Sequence, residues 1–221
     1  MMRNLPKLQP ADRENKLIAL HQRILSCRLC QERGYIATAR PIVQGRANDR
    51  IFLIGQAPGH LSVARGVPFS GPGGRVLQKW LERAGFPPGY LHEHVYLSSL
   101  THCDPGKNPK GSGDRRPSPQ ELALCKPFLE AELNLVQPRV VLLVGTMAIE
   151  AFLGKARLED IIGTYQEIEK RLFLPLPHPS GVSRWLNAPE HQHLLAQALE
   201  HLARWRNEYG LQGGQAQPGS N

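Results

Sequence analysis

Four cysteines make up the whole complement of this chain: Cys27, Cys30, Cys103 and Cys125. Cys27-Arg28-Leu29-Cys30 is a CxxC pair, whose two sulfurs reach one metal centre from a single turn of chain. Cys103 follows a strand-like segment, and Cys125 lies on the helix after it. Buried apolar thiols, two disulfides or a redox pair are the other uses open to four cysteines. The start of the chain lacks the apolar run of an export signal, and the CxxC is not attached to the usual βαβ unit. One four-thiolate site is therefore the expectation. Zinc and iron–sulfur both use such a set, and spacing leaves the choice between them open.

Three loops carry the other residue types that do chemistry. Gln56 and Ala57 lie in a Gly55-Gln56-Ala57-Pro58-Gly59 turn, where glycine permits close backbone approach to a ligand. Phe69 is the single aromatic in the Gly66–Gly74 stretch of small residues and prolines, placed to stack on a flat ring. His178 stands between Pro177 and Pro179, which fix its backbone; its ring suits an oxyanion hydrogen bond or acid–base work. Lys107, Lys110, Arg115 and Arg116 share one Gly/Pro-rich stretch suited to phosphates, and Ser180, Ser183 and Arg184 lie beside His178.

Something must hold these loops together, and the elements between them suggest what. Arg50–Gly55, Val95–Leu100, Arg139–Gly145 and Leu172–Leu176 are short apolar runs with the character of buried strands. Helical spacing marks Gly73–Ala84, Thr146–Leu153 and Glu190–Trp205. Ser118-Pro119-Gln120-Glu121 opens another helix with a capping box, Ser118 as N-cap and Pro119 at the first position. Strands alternating with helices predict an α/β fold with a parallel sheet and helices on both faces. The candidate loops all follow strand ends, where such sheets place their sites.

The chain has 221 residues, 41% of them hydrophobic and 21% charged, which fits one globular domain and excludes a wholly disordered chain. Residues 1–206 are expected to form that domain and 207–221 a disordered tail. No run of 18 apolar residues occurs, so a membrane partner is not expected, and the cytoplasm is the expected compartment. Lys and Arg total 27 against 19 Asp and Glu, a net charge of +8 that favours a polyanion partner.

The ordered set of motifs resembles the uracil-DNA glycosylase superfamily, most nearly its bacterial iron–sulfur families 4 and 5. The residues that carry the resemblance are the Cys27/Cys30 pair, Gly55-Gln56-Ala57-Pro58-Gly59, Pro68-Phe69-Ser70-Gly71, Cys103-Asp104-Pro105-Gly106, the Cys125-Lys126-Pro127-Phe128-Leu129 helix, Val144-Gly145 and His178-Pro179-Ser180. The resemblance implies a three-layer αβα sandwich around a four-stranded parallel sheet, and a 4Fe–4S cluster on the four cysteines, with zinc as the alternative. It implies a monofunctional glycosylase that hydrolyses the N-glycosidic bond of uracil, or another deaminated base, flipped out of DNA. A non-catalytic binder of single-stranded or damaged DNA on the same fold is the alternative, and a monomer is expected.

In that reading His178 and Gln56 are the catalytic candidates. Gln56, Ala57, Phe69, Ser99 and His178 form the base pocket, and DNA phosphates meet Lys107, Lys110, Arg115, Arg116, Ser180, Ser183 and Arg184. The chain departs from the family 4 pattern at three places. Gln56 and Ser62 stand where that family carries carboxylates, and Ser99 stands where it has an asparagine. No Asp or Glu occurs between Gly55 and Arg75, so altered base preference or weak activity is expected, with His60 as a substitute polar group. Some glycosylase relatives trap uracil through a histidine after the third cysteine. No His occurs between Asp104 and Pro177, which disfavours that variant.

Overall fold

The computed structural model describes residues 9–109, 113–179 and 184–212. A five-stranded sheet lies at its centre in the order β2-β1-β3-β5-β4. The strands are β1 (Ile51–Gly55), β2 (Val95–Ser99), β3 (Val140–Val144), β4 (Gln166–Ile168) and β5 (Arg171–Leu176). β1, β2, β3 and β5 run parallel, as expected from their uninterrupted burial.

The expected count of four strands is corrected by β4, which pairs antiparallel with β5 at the edge. Its three residues are exposed, so no apolar run marks it. Its turn is Glu169-Lys170, both at positive φ, without the Gly or Asn that usually announces such a hairpin. β4 begins opposite Phe173 and pairs no further along β5, so Pro175 falls where β5 has a strand on one side only, which a proline tolerates.

Helices cover both faces because alternate strand residues point opposite ways. Ile51 and Leu53 of β1 join the core built with α4 (Pro72–Arg83), α5 (Tyr90–His94) and α9 (Pro189–Glu208), around Trp80 and Trp205. Phe52 and Ile54 join the opposite core with α1 (Pro10–Ser26), α6 (Pro119–Val136) and α7 (Thr146–Leu153). Three helices of four to six residues complete the fold: α2 (Leu29–Glu32), α3 (His60–Arg65) and α8 (Leu158–Ile161).

The capping box forms as expected: Ser118 Oγ accepts from the Glu121 N–H at 3.2 Å, and Ser118 N–H donates to Glu121 Oε2 at 2.7 Å. Of the expected tail, residues 207–212 are described and 213–221 lie outside the described residues. α9 continues to Glu208, and Leu211 is buried with its carbonyl accepting from the Tyr90 hydroxyl. No helix among the described residues is long and apolar enough to cross a membrane.

Candidate functional site

All four parallel strands deliver to one rim. β1 ends in Gly55 and β2 in Ser99; Gly145 follows β3, and His178 lies two residues beyond β5. The strand order places β2 on one side of β1 and β3 on the other, so the chain reverses direction at β1. Such a switch point leaves a crevice at the carboxyl ends of the strands.

Phe69 is brought into this crevice by its backbone. Its φ is +53°, a left-handed conformation that bulky residues rarely adopt. Strain of this kind persists where the surroundings force it, and two glycines form those surroundings here. A Cβ on Gly55 would lie 2.8 Å from Phe69 Cζ and 3.6 Å from Ser99 Oγ, so the ring crosses the end of β1 beside Ser99. A Cβ on Gly74, in the first turn of α4, would collide with the Phe69 carbonyl oxygen.

His178 approaches from the other side. Gly145 has φ +85°, its N–H donates to the Leu176 carbonyl at 2.9 Å, and a Cβ there would sit 3.2 Å from His178 Cδ2. Pro179 packs 3.3 Å from the corresponding point on Gly73. The ring of His178 reaches solvent, yet desolvation by the surrounding protein lowers its pKa below the ordinary histidine value. The shift favours the neutral ring.

Gln56 is half-buried at the start of its turn, with Ala57 next to it, and Gln56 Nε2 donates to the Arg115 carbonyl at 3.4 Å. Ser62 is buried within α3. His60, exposed at the first position of α3, lines a neighbouring groove of about 260 Å³ with Arg40 and Asp104.

The basic residues divide. Lys107, Arg116 and Arg184 are exposed, and Lys107 Nζ lies 3.3 Å from Asp114 Oδ1. Arg115, also expected among the phosphate contacts, is turned inward. Its two terminal nitrogens donate to Glu121 at 2.6 and 2.7 Å, and one also donates to the Tyr35 carbonyl at 2.9 Å. A bidentate pair of this kind fixes the loop. Lys110, Ser180 and Ser183 lie outside the described residues.

The four cysteines line one cavity, together with Ile24, His102 and Phe128. Cys27 caps the end of α1, Cys30 sits on α2, Cys103 follows β2, and Cys125 projects from α6. No disulfide joins any of them. Burial, then the neighbouring thiolate charge of Cys125, pushes Cys30 up to about 11; the same two causes push Cys103 up to about 12. Four thiolates here would repel one another, and a cationic metal core would relieve that repulsion. Among the described residues, no group of three or more His, Cys, Asp or Glu is close enough together to hold a metal ion as it stands.

Behind the cavity lies a buried polar chain that sequence reasoning missed. His102 Nδ1 is 3.6 Å from Cys125 Sγ, and the His102 backbone N–H donates to the same sulfur at 3.4 Å. His102 Nε2 meets Glu132 Oε2 at 3.1 Å. Glu132 also accepts from Ser98 Oγ at 2.8 Å and Tyr96 OH at 2.9 Å, and Tyr96 OH contacts His21 Nε2 at 2.7 Å. The one signal in the sequence was Glu132 itself, a charge on the apolar face of α6.

The sequence comparisons meet this geometry. A family model described as the uracil DNA glycosylase superfamily matches residues 42–203. The chain belongs to the uracil DNA glycosylase superfamily. A type-4 uracil-DNA glycosylase of Thermotoga maritima is 27% identical over 176 residues, covering 78% of this chain and 85% of that protein. A type-4 enzyme of Archaeoglobus fulgidus is 28% identical over 170 residues, covering 72% and 79%. A type-5 uracil-DNA glycosylase of Thermus thermophilus is 34% identical over 163 residues, covering 62% and 71%. In this member of the superfamily the match spans the whole strand rim but begins after Cys27 and Cys30.

Proposed function

We propose that this glycosylase excises uracil from DNA by hydrolysing the N-glycosidic bond of a flipped-out nucleotide. Family membership and the names of its relatives make the chain a DNA glycosylase, and they do not favour a non-catalytic DNA binder on the same fold. The observation that carries the substrate reading is Phe69. A strained aromatic held across the end of β1, with Ser99 and Gln56 beside it and His178 on the adjoining rim, suits a flat heterocycle.

The reaction breaks the bond between C1′ and the base, and the electron pair leaves with the base. Charge therefore grows on the uracil carbonyls as the sugar becomes oxocarbenium-like, and fixed donors aimed at that charge lower the barrier. Neutral His178 donates its N–H there without first having to lose a proton. Phe69 stacks beneath the ring, Ser99 hydrogen-bonds its edge, and the Gln56-Ala57 turn closes the pocket and orients the water whose oxygen bonds to C1′. Lys107, Arg116 and Arg184 face solvent and are suited to DNA phosphates.

Cys27, Cys30, Cys103 and Cys125 would hold a 4Fe–4S cluster. The support for this reading is that all four sulfurs line one cavity, a thiolate set that suits an iron–sulfur cluster, with zinc as the alternative. Such a group supplies a cross-link joining α1 and α2 to α6 and the loop after β2.

Base release tests the reading. Single-turnover assays on oligonucleotides containing uracil, hypoxanthine, xanthine or a thymine mismatch, with the free base detected by mass spectrometry, should show uracil released. No release from any of them, with salt-sensitive DNA binding retained, overturns it.

A further inference from the structure

The Gly55–Arg75 segment has no carboxylate of its own, yet one from another loop packs against Gly59. Asp114 comes from the loop between Cys103 and α6, about sixty residues further along the chain. Its Oδ2 lies 3.1 Å from the point where a side chain on Gly59 would begin. Gly59 has φ −84°, an ordinary value, so its backbone does not call for glycine; the space beside it holds the carboxylate.

Five contacts keep the loop in place. Gln56 Nε2 donates to the Arg115 carbonyl at 3.4 Å. The Arg115 guanidinium is clamped by Glu121 and Tyr35. Its backbone N–H donates to the Gly106 carbonyl at 2.9 Å, and Asn108 N–H donates to the Gly113 carbonyl at 3.0 Å, closing the loop on itself. Within this frame the two carboxylate oxygens of Asp114 have separate surroundings. Oδ1 faces Lys107 Nζ at 3.3 Å, and Oδ2 lies against Gly59 at the end of the Gln56–Gly59 turn. The side chain is 34% exposed, open enough for water to reach it.

We propose that Asp114 supplies, from a different loop, the catalytic carboxylate that the Gln56–Gly59 turn lacks. This rests on the glycosylase reading above. As the C1′–base bond breaks and its electron pair departs with the base, Asp114 Oδ2 accepts a hydrogen bond from the attacking water. The water oxygen bonds to C1′, its proton passes to Asp114, and solvent takes that proton up. Gln56, neutral at every pH, holds the same water and cannot accept its proton. Asp104, the other carboxylate of this loop, has Oδ1 accepting from the Gly106 N–H at 2.7 Å and lines the neighbouring groove instead.

The test compares wild type, Asp114→Asn, Asp114→Glu and Asp104→Asn in single-turnover release of uracil from an oligonucleotide. Dissociation constants are measured on the same DNA carrying a non-cleavable uracil nucleotide, and melting temperatures are recorded. The amide variant keeps the shape and loses the base, so D114N should slow release by on the order of 10² or more. Its DNA binding should be equal or tighter, its melting temperature unchanged, and Asp104→Asn should match wild type. Asp114→Glu should recover part of the rate. A wild-type rate in D114N, or an equal loss in Asp104→Asn, overturns the assignment while leaving the glycosylase reading standing. A loss in D114N matched by weaker binding or a lower melting temperature also overturns it, since the residue then acts on loop order. A wild-type protein that releases no base overturns both readings.

Discussion

Glu132 and His102 meet at 3.1 Å with 0% and 3% of their side chains exposed, and the histidine in turn faces Cys125 Sγ. Burial works against a charged His102, but the Glu132 charge and the hydrogen bonds to Cys125 and Glu132 outweigh it and raise its pKa. A carboxylate this deep is tolerable only because Ser98, Tyr96 and His102 all turn toward it. The pair therefore ties α6, which carries Cys125, to the strand that ends at Ser99.

Glu132→Ala should cost about 3–5 kcal/mol of stability, the usual penalty for breaking a buried charged pair, and Glu132→Gln less. Chemical denaturation reads the loss; a change under about 1 kcal/mol would mean that the pair contributes little. Iron and acid-labile sulfide in anaerobically purified protein should be present in the wild type and lost in Cys125→Ser. A colourless wild type with one zinc and no iron would sink the cluster assignment.

His178→Ala should slow base release by on the order of 10² or more, as loss of one donor to a developing anion typically does. In the wild type the pKa of His178 should lie below its ordinary 6.5 when titrated by NMR. The unfolded chain then protonates this residue more readily than the folded one. Its contribution to stability is complete above pH 6.5 and falls as the pH drops through the lowered value. A measured value above 6.5 would remove the neutral-donor role.

Gly55→Ala and Gly74→Ala separate ring position from backbone position. At Gly55 the new methyl meets the far end of the Phe69 ring, which can swing away. Release should slow with little change in melting. At Gly74 it meets the Phe69 carbonyl, which cannot yield without moving the loop, so stability should also fall by about 1–3 kcal/mol. Equal melting temperatures for the two variants would show that the loop gives way freely.

Arg115 and Arg116 are neighbours in sequence with opposite expected effects on DNA binding. Arg116→Ala should lower the slope of log affinity against log salt by about 1, as loss of one phosphate contact does. Arg115→Ala should leave that slope unchanged and lower the melting temperature, because its guanidinium serves Glu121 and Tyr35. A slope change in Arg115→Ala would place it on the DNA after all.

What the sequence determined by itself was what short-range pattern encodes. The four parallel strands are mostly apolar runs because both faces of the sheet are covered, and that burial leaves a direct trace in composition. The Ser118–Glu121 capping box and the α7 boundaries follow from residues a few positions apart. The grouping of Phe69, Ser99 and His178 at one rim was legible because strand ends in a parallel sheet share a side.

The tertiary structure alone decided whatever depends on partners far apart in the chain. β4 has exposed residues and a turn without glycine, so only its pairing with β5 makes it a strand. Phe69 is left-handed because Gly55 and Gly74 leave room for its ring and its carbonyl. Arg115 looks like a phosphate ligand until Glu121 and Tyr35 are seen to hold it. His102, Glu132 and Asp114 carry no local signature, since a side chain's charge and type do not say which distant backbone will fold against it.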